Sequence, residues 1–254
     1  MGLRLHVVDA FTDRPFAGNP AAVALVDQWP PDDFMQSVAA EMNLAETAFV
    51  QPRSDGDHDL RWFTPTVEVE LCGHATLASA HVLGGDPRFH TRSGVLACRA
   101  GGDGLVEMDF PADPPAPLAA VPPLGIDDIG WAGRGRFDIL VEVGAAAAVR
   151  ALVPDLSSIA AAGSRAVIVT ARGDRPDVDC VSRVFAPNVG IPEDPATGSA
   201  HCTLAGFWGE RTGRDTLVGE QASPRGATIH MRRRGERVVL AGRAVTVSEV
   251  NLLV

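Results

Sequence analysis

The chain has 254 residues, of which 46% are hydrophobic and 21% are charged, and this composition is ordinary for a globular protein of one large or two smaller domains. Its formal net charge of −10 argues against a nucleic-acid surface, because binding to phosphates requires a basic face. All 22 basic residues are arginine, which excludes a Schiff-base lysine and the lysine of a Walker phosphate loop. Proton transfer therefore depends on Asp, Glu, His or Cys side chains.

The four cysteines are widely spaced and form no Cys-x-x-Cys pair, so they suggest neither a zinc site nor a dense disulfide framework. The first residues lack the pattern of a signal peptide, and no uncharged apolar run reaches membrane-spanning length. We expect a cytoplasmic protein with reduced thiols and with no nucleic-acid or membrane partner.

Short strand-like runs dominate the first half of the chain. The segments "LRLHVVDAF", "ETAFVQ", "DLRWFT" and "VEVEL" are typical of strands. Between the first two, "PPDDFMQSVAAEMN" has apolar residues at helical spacing, and Asp32 and Asp33 are favourable in the first turn of a helix. The segment "GVLACRAGGDGLVEMDF" predicts a hairpin with a glycine-rich turn.

The stretch from Pro111 to Pro123 carries six prolines and no apolar periodicity, which predicts a linker. We therefore expect an N-terminal lobe at residues 1–113 and a C-terminal lobe at 114–254, with the C-terminal strand a candidate to complete the first lobe. The second half repeats the style of the first, with "FDILVEV", "RAVIVTA" and "CVSRVFA" as predicted strands.

Each half also contains one helix of small and apolar residues that begins at a glycine. These helices are "GHATLASAHVLGG" in the first half and "GSAHCTLAGFWGE" in the second. Gly-His-Ala at 73–75 corresponds to Gly-Ser-Ala at 198–200, which is a weak sign of internal duplication. A helix that is apolar on most sides is buried, and here we expect a sheet around it.

The starts of these two helices are candidate anion-binding corners. The first N–H groups of a helix have no partner within it, and the helix dipole adds positive charge there. Gly73 and Gly198 would let a ligand approach this backbone closely. One corner from each half, facing each other across a cleft, would hold a small molecule with a carboxylate. Ser199 would offer its hydroxyl to the ligand or only cap its helix.

Several titratable residues near these corners are candidates for catalysis, although each has a structural alternative. Asp194 precedes the second helix and could simply cap it, and Glu193 could be a solvated surface acid. His74 lies at the first corner and is either structural or part of the site. Glu46 directly precedes a strand that we expect to be buried, and an acid in such a place is suited to carry a proton.

Four segments together resemble the PhzF-like family, the phenazine-biosynthesis group of proteins with the diaminopimelate-epimerase-like fold. They are "VDAFTDRPFAGNPAAVAL", "NLAETAFV", "RWFTPTVEVELCGHATLASAHVL" and "EDPATGSAHCTLAGFW". The resemblance implies an α+β fold of two pseudo-symmetric lobes, each a β-barrel-like sheet wrapped around a central helix. It also implies a homodimer, an active site between the lobes, and proton movement at carbon without a cofactor.

The same resemblance implies roles for particular residues. Glu46 of "NLAET" is the general acid/base, and His74 and Asp194 orient the substrate or assist the proton. The backbone N–H groups of both corners grip the substrate, and the residues implied there as substrate-binding are Gly73, Gly198 and Ser199.

One departure from the wider superfamily concerns its catalytic thiols. Amino-acid epimerases of this fold use two cysteines, one on each face of the substrate carbon. Cys72 stands at the place of the first, but the second corner has no cysteine. We therefore expect Cys72 to be a small buried residue and not a nucleophile.

The sequence thus predicts a cofactor-independent isomerase or epimerase that moves a proton on a small carboxylate-bearing metabolite, with Glu46 as general acid/base and no metal. The alternative is a non-catalytic small-molecule-binding protein, such as a metabolite sensor, with the same cleft. A metal-dependent hydrolase is disfavoured, since the seven histidines show no His-Glu-x-x-His spacing.

Overall fold

The structure is a computed structural model that describes residues 2–254. Contacts divide the chain into two units. The first contains the residues up to Asp109 together with Ala241–Val254, and the second contains Phe110–Leu240. The boundary expected after residue 113 lies a few residues beyond this division, and the last strand belongs to the first unit.

The first unit is built from nine strands and two helices. They are β1 (Gly2–Ala10), β2 (Asn19–Leu25), α1 (Asp32–Met42), β3 (Glu46–Pro52), β4 (His58–Phe63), β5 (Glu68–Val69), α2 (Gly73–Leu83), β6 (Arg88–Thr91), β7 (Gly94–Ala100), β8 (Val106–Pro111) and, at the C-terminus, β18 (Ala244–Leu253).

The second unit contains nine strands and three helices. They are β9 (Ala116–Pro117), β10 (Ile129–Arg134), β11 (Ile139–Val143), α3 (Ala146–Ala151), α4 (Leu156–Ala161), β12 (Val167–Arg172), β13 (Cys180–Ala186), β14 (Ile191–Asp194), α5 (Gly198–Thr212), β15 (Thr216–Gln221), β16 (Ala227–Arg234) and β17 (Arg237–Gly242).

The two units repeat one pattern of strand pairing. In the first, β1–β2 is antiparallel, β2–β3 parallel, β3–β4 antiparallel, β4–β6 parallel and β6–β7 antiparallel. In the second, the pairs β10–β11, β11–β12, β12–β13, β13–β15 and β15–β16 follow the same alternation. The α+β class and the pseudo-symmetry predicted from the sequence are therefore confirmed, although the mixed sheets in the described residues are not closed barrels.

Most predicted elements form where the sequence places them. The amphipathic pattern gives α1, with Asp32 and Asp33 in its first turn, and the glycine-rich turn joins β7 to β8. The proline-rich stretch differs from the expected bare linker, because it contains β9, which pairs with β10. Proline is tolerated in such a short strand when it lies at the edge of a sheet. No helix in residues 2–254 is long and apolar enough to cross a membrane.

The two helices that begin at glycine are the buried helices of their units. Every residue of α2 from His74 to Ala80 is buried, and the helix packs against β1, β2 and β3. Helix α5 packs against β15 and β16 and is buried along most of its length. Small residues make this possible: a Cβ at Gly206 would lie 2.9 Å from the Cα of Pro114. Both helices start at the glycine predicted from the sequence.

An arginine–glutamate pair fixes the segment that leads into α5. Arg183 of β13 donates two hydrogen bonds of 2.8 Å to Glu193 of β14, and its remaining nitrogen donates to the carbonyl oxygen of Leu152 at 2.6 Å. Its guanidinium also lies 5.0 Å from the ring centre of Phe185. Arg183 is buried, so Glu193 is not the free surface acid that the sequence left open.

The first unit repeats this arrangement ahead of α2. Arg61 of β4 donates two hydrogen bonds of 2.8 Å to Glu68 of β5 and lies 5.2 Å from the ring of Phe63. The two arginines occupy matching segments, "RWFTP" and "RVFAP". We call these two ion pairs the Arg61–Glu68 and Arg183–Glu193 clamps. A bidentate pair of this kind restricts both position and orientation.

We expect Arg183→Met to lower the free energy of unfolding by about 3–5 kcal/mol, because it leaves Glu193 partly buried without its partner. Arg175→Met is the matched control and should cost about 1 kcal/mol or less, because it breaks an exposed pair with Asp177 and a contact with Glu220, which keeps its pair with Arg150. Urea unfolding measures both values. Equal losses in the two variants would contradict a structural role for the Arg183–Glu193 clamp.

A second expectation concerns His201, which is fully buried in α5. Its Nδ1 donates to the carbonyl oxygen of Thr197 at 2.8 Å, and Nε2 has no partner in the described part of the chain. Burial lowers the pKa of His201 to about 4, while the hydrogen bond to Thr197 acts in the opposite direction. Unfolded histidine binds its proton near pH 6.5, so stability is full above pH 6.5 and falls as the pH drops towards 4.

Because His201→Gln removes this titration, the stability difference between the wild type and the variant should shrink by about 3 kcal/mol between pH 7 and pH 4. Urea unfolding across this range provides the measurement. A difference that stays constant with pH would show that His201 does not titrate as its burial requires.

Candidate functional site

The start of α2 brings the first group of predicted site residues together. Cys72 is the N-cap residue but makes no capping hydrogen bond through its side chain, and the helix begins at Gly73. The hydroxyl of Thr76 donates to the carbonyl oxygen of Cys72 at 2.5 Å. The first turn is buried from His74 onward, whereas Gly73 is partly exposed, so the polar neighbours of this turn determine its chemistry.

Glu46 and His74 form a buried pair at this helix start. Glu46 is the first residue of β3, where it pairs with Ala21 of β2. The side chains of Glu46 and His74 are both nearly inaccessible to solvent. The Oε2 atom of Glu46 lies 3.0 Å from Nε2 of His74. Within residues 2–254, neither atom makes a well-aligned hydrogen bond. The two groups are thus close enough for strong electrostatic interaction, while both atoms keep hydrogen-bonding capacity for a ligand.

Asn19 contacts the opposite side of the His74 ring. Its buried side-chain amide nitrogen lies 3.2 Å from Nδ1 of His74. Sγ of Cys72 lies 3.5 Å from the same ring nitrogen, Nδ1. Gly18 sets the backbone before Asn19, with φ +62°, and a Cβ there would lie 2.1 Å from the carbonyl oxygen of Ala10. Asn19 was not predicted from the sequence, although it lies within "VDAFTDRPFAGNPAAVAL", because an amide side chain does not titrate.

The electrostatics of this corner favour a charged histidine beside a neutral thiol. Burial opposes protonation of His74, but the neighbouring Cys72 and Glu46 raise its pKa well above the ordinary value. Burial, followed by the negative charge of Glu46, raises the pKa of Cys72. A carboxylate beside an imidazolium in a water-poor site is suited to moving a proton to and from a ligand.

The same corner contains donor atoms that could bind a metal ion. One atom each from Glu46, Cys72 and His74 lies within 4.8 Å of the others. The raised pKa of the Cys72 thiol opposes metal binding, because the ligand form of cysteine is the thiolate. Proton chemistry therefore fits this corner better than metal chemistry does.

The second corner, at the start of α5, is organised by Gln221. Its buried side chain accepts a hydrogen bond from the backbone N–H of Thr197 at 2.8 Å and donates to the carbonyl oxygen of Asp194 at 2.6 Å. The hydroxyl of Thr197 donates to Oδ2 of Asp194 at 2.5 Å. The N-cap residue is Thr197, without a side-chain capping bond, so neither Asp194 nor Ser199 is the N-cap residue of this helix.

Ser199 contacts Arg165 and through it is linked to Asp138, and neither residue was predicted from the sequence. Its Oγ accepts a hydrogen bond of 2.9 Å from Arg165, which is paired with the buried carboxylate of Asp138. Arg165 and Asp138 lie far from Ser199 in sequence and outside any recognisable motif. Of the predicted residues, the structure thus groups Glu46, Gly73 and His74 at one helix start, and Asp194, Gly198 and Ser199 at the other.

The burial of Cys72 yields a chemical prediction. Because its pKa is raised and its side chain is buried, folded protein at pH 7.5 should contain no thiol that reacts with iodoacetamide within minutes. Mass spectrometry of the labelled protein measures this, and labelling in urea provides the positive control. A single fast-reacting thiol that disappears in Cys72→Ala would show instead that Cys72 is an activated nucleophile.

Comparison with known proteins identifies the family. The family model described as phenazine biosynthesis-like protein, PhzC-PhzF, matches residues 8–112 and 125–250. An uncharacterized isomerase of Pseudomonas aeruginosa is 49% identical over 254 residues, covering 96% of each chain. An uncharacterized isomerase of Halalkalibacterium halodurans is 43% identical over 261 residues, covering 98% of each chain.

Solved structures give the same result. A crystal structure of a phenazine biosynthesis protein of the PhzF family from Enterococcus faecalis is 38% identical, covers 100% of both chains and superposes with a TM-score of 0.94. A hydroxyproline epimerase from Agrobacterium vitis, solved with bound trans-4-hydroxy-L-proline, covers 99% of this chain and 92% of its own at 12% identity. Its TM-score of 0.64 shows a likeness of fold alone. The chain therefore belongs to the phenazine biosynthesis-like (PhzC-PhzF) family, and its relatives identify it as an enzyme of the isomerase type.

Proposed function

We propose that this enzyme is a cofactor-independent isomerase or epimerase that moves a proton on a small metabolite with a carboxylate group. Glu46 is its general acid/base. The observation that carries the proposal is the buried contact of 3.0 Å between Glu46 and His74 at the N-terminus of α2. This arrangement combines a proton carrier with a helix start that favours negative charge.

The proposed reaction removes one proton and returns one proton, so substrate and product are isomers. The carboxylate of Glu46 takes a proton from a carbon that is activated by the substrate's carboxylate. The electron pair left behind delocalises towards the carboxylate oxygens, where N–H groups at a helix start stabilise the charge. Glu46 then returns the proton to the other face of that carbon or to another carbon of the same molecule.

His74 supports this transfer from the opposite side of the Glu46 carboxylate. Because the pKa of His74 is raised, its imidazolium places a positive charge 3.0 Å from the Glu46 carboxylate. The side-chain amide of Asn19 lies against Nδ1 and limits rotation of the ring, and its oxygen accepts from the imidazolium when the amide is turned towards it. His74 is therefore proposed to assist and orient the proton transfer.

In the first unit, backbone N–H groups at Gly73 are proposed to bind substrate. In the second unit, the backbone N–H of Gly198 and the hydroxyl of Ser199 are proposed to bind a carboxylate. Support comes from the N-cap residues Cys72 and Thr197, whose side chains make no capping hydrogen bond to the first N–H groups of the helices. Asp194 is proposed to orient the substrate, and the hydrogen bonds from Thr197 and Gln221 keep its corner rigid.

The test is deuterium incorporation from D2O into a panel of small acids, which contains amino acids, hydroxyprolines and unsaturated dicarboxylates, followed by mass spectrometry. Glu46→Gln keeps the size of the side chain but cannot carry the proton, so exchange into an active acid should fall by about 10²–10⁴-fold. Glu41→Gln makes the same chemical change at an exposed site in α1 and should exchange like the wild type.

Two results would contradict the proposal. Undiminished exchange in Glu46→Gln would show that another group is the base. If acids from the panel raise the melting temperature of the wild type but none acquires deuterium, a non-catalytic small-molecule-binding protein becomes the better assignment.

A further inference from the structure

We propose that Asp138 and Arg165 are positioning residues that hold the hydroxyl of Ser199 as a hydrogen-bond donor to the substrate's carboxylate. The inference rests on the proposed function, because it concerns the carboxylate-binding corner at the start of α5. It adds two residues to that corner which neither the sequence motifs nor the family resemblance selects.

Asp138 fixes the guanidinium of Arg165 in one orientation. The Nε and Nη2 atoms of Arg165 donate to the two carboxylate oxygens of Asp138 at 2.9 and 2.5 Å. Asp138 is only 1% exposed, so this carboxylate has little solvent to compete for the pair. The ring of Phe137 lies 5.0 Å from the same guanidinium. Two hydrogen bonds and a ring contact leave the arginine head group little freedom to rotate.

The orientation of Arg165 determines what the hydroxyl of Ser199 can do. Nη2 of Arg165 lies 2.9 Å from Oγ of Ser199, and a guanidinium can only donate hydrogen bonds. The oxygen of Ser199 therefore accepts, and its own proton must point away from Arg165. A hydroxyl with this polarity is prepared to donate to an anion at the start of the helix.

The internal repeat supplies an independent observation. In the first unit, the second residue of α2 is His74, and it contacts Asn19 and Glu46, which begin β2 and β3. These strands correspond to β11 and β12 in the pairing pattern.

In the second unit, the second residue of α5 is Ser199, and the segments directly before β11 and β12 supply Asp138 and Arg165. The same parts of the fold thus supply two polar side chains near this helix position in both units. In the first unit both contact His74, whereas in the second unit Arg165 contacts Ser199 and Asp138 contacts Arg165. In the first unit these side chains contact the proposed catalytic histidine, so the matching pair in the second unit is expected to serve the site as well.

The experiment measures binding of acetate by nuclear magnetic resonance, following the backbone amide signals of Gly198 and Ser199 at constant ionic strength. We expect Arg165→Met and Ser199→Ala each to weaken acetate binding by about tenfold, the effect of one lost charge-assisted hydrogen bond. If Arg165 acts through Ser199, the double variant should bind little worse than either single variant, since both changes remove the same interaction.

Two further variants distinguish a positioning role of Arg165 from an effect of its charge and from a loss of protein stability. Arg136→Met removes the same charge beside Phe137, where the guanidinium of Arg136 also lies 5.0 Å from the ring, and it should bind acetate like the wild type. Arg165→Lys keeps the charge but lacks the two-pronged geometry, so it should bind as weakly as Arg165→Met and also serves if that variant does not fold.

The proposal would be overturned if the fold-losses of acetate affinity in the two single variants multiply in the double variant. It would also be overturned if Arg136→Met loses as much affinity as Arg165→Met, because Arg165 would then act by charge alone. Wild-type affinity in Arg165→Lys, or a wild type that shows no acetate-dependent shift, would also overturn it. None of these results depends on turnover by Glu46, so deuterium exchange can persist or fail independently.

Discussion

Both units must accommodate the start of a buried helix whose first N–H groups have no side-chain cap. Such groups are costly when they are buried without partners, so the surrounding residues have to fix the corner and keep it accessible to a ligand. The Arg61–Glu68 and Arg183–Glu193 clamps hold the strands that lead into α2 and α5. The backbone groups proposed to bind a ligand at each corner are thus the same groups that make the helix difficult to bury.

The two units share this arrangement of strands and helix start but differ in the side chains around it. The strand pairings, the clamps and the glycine at each helix start are shared, whereas the second helical residue is His74 in one unit and Ser199 in the other. Around His74 the neighbours include an acid and a thiol, which gives a corner that can exchange protons. Around Ser199 they are an arginine and its buried counter-ion, which gives a corner suited to holding charge.

The sequence predicts what depends on local pattern. The periodicity of α1 and the small apolar runs of α2 and α5 were sufficient to locate these helices, and the repeated Gly-x-Ala corners indicated the pseudo-symmetry. Residues that act across the sheet were not predictable in this way. Asn19 reaches His74 over 55 positions, and Arg165 reaches Ser199 over 34. Such contacts depend on strand order, and Glu193 shows that an acid beside a site can be structural.

The pairing of β18 with β1 has a consequence for how the protein is made. These strands align from Gly2 with Leu253 to Ala10 with Ala244, so the first unit joins the two ends of this sequence. While a ribosome is synthesising the chain, β1 lacks this neighbour until nearly all of the sequence has emerged. Glu46 and His74 belong to the same unit, and their surroundings can therefore be completed only after synthesis of the second unit.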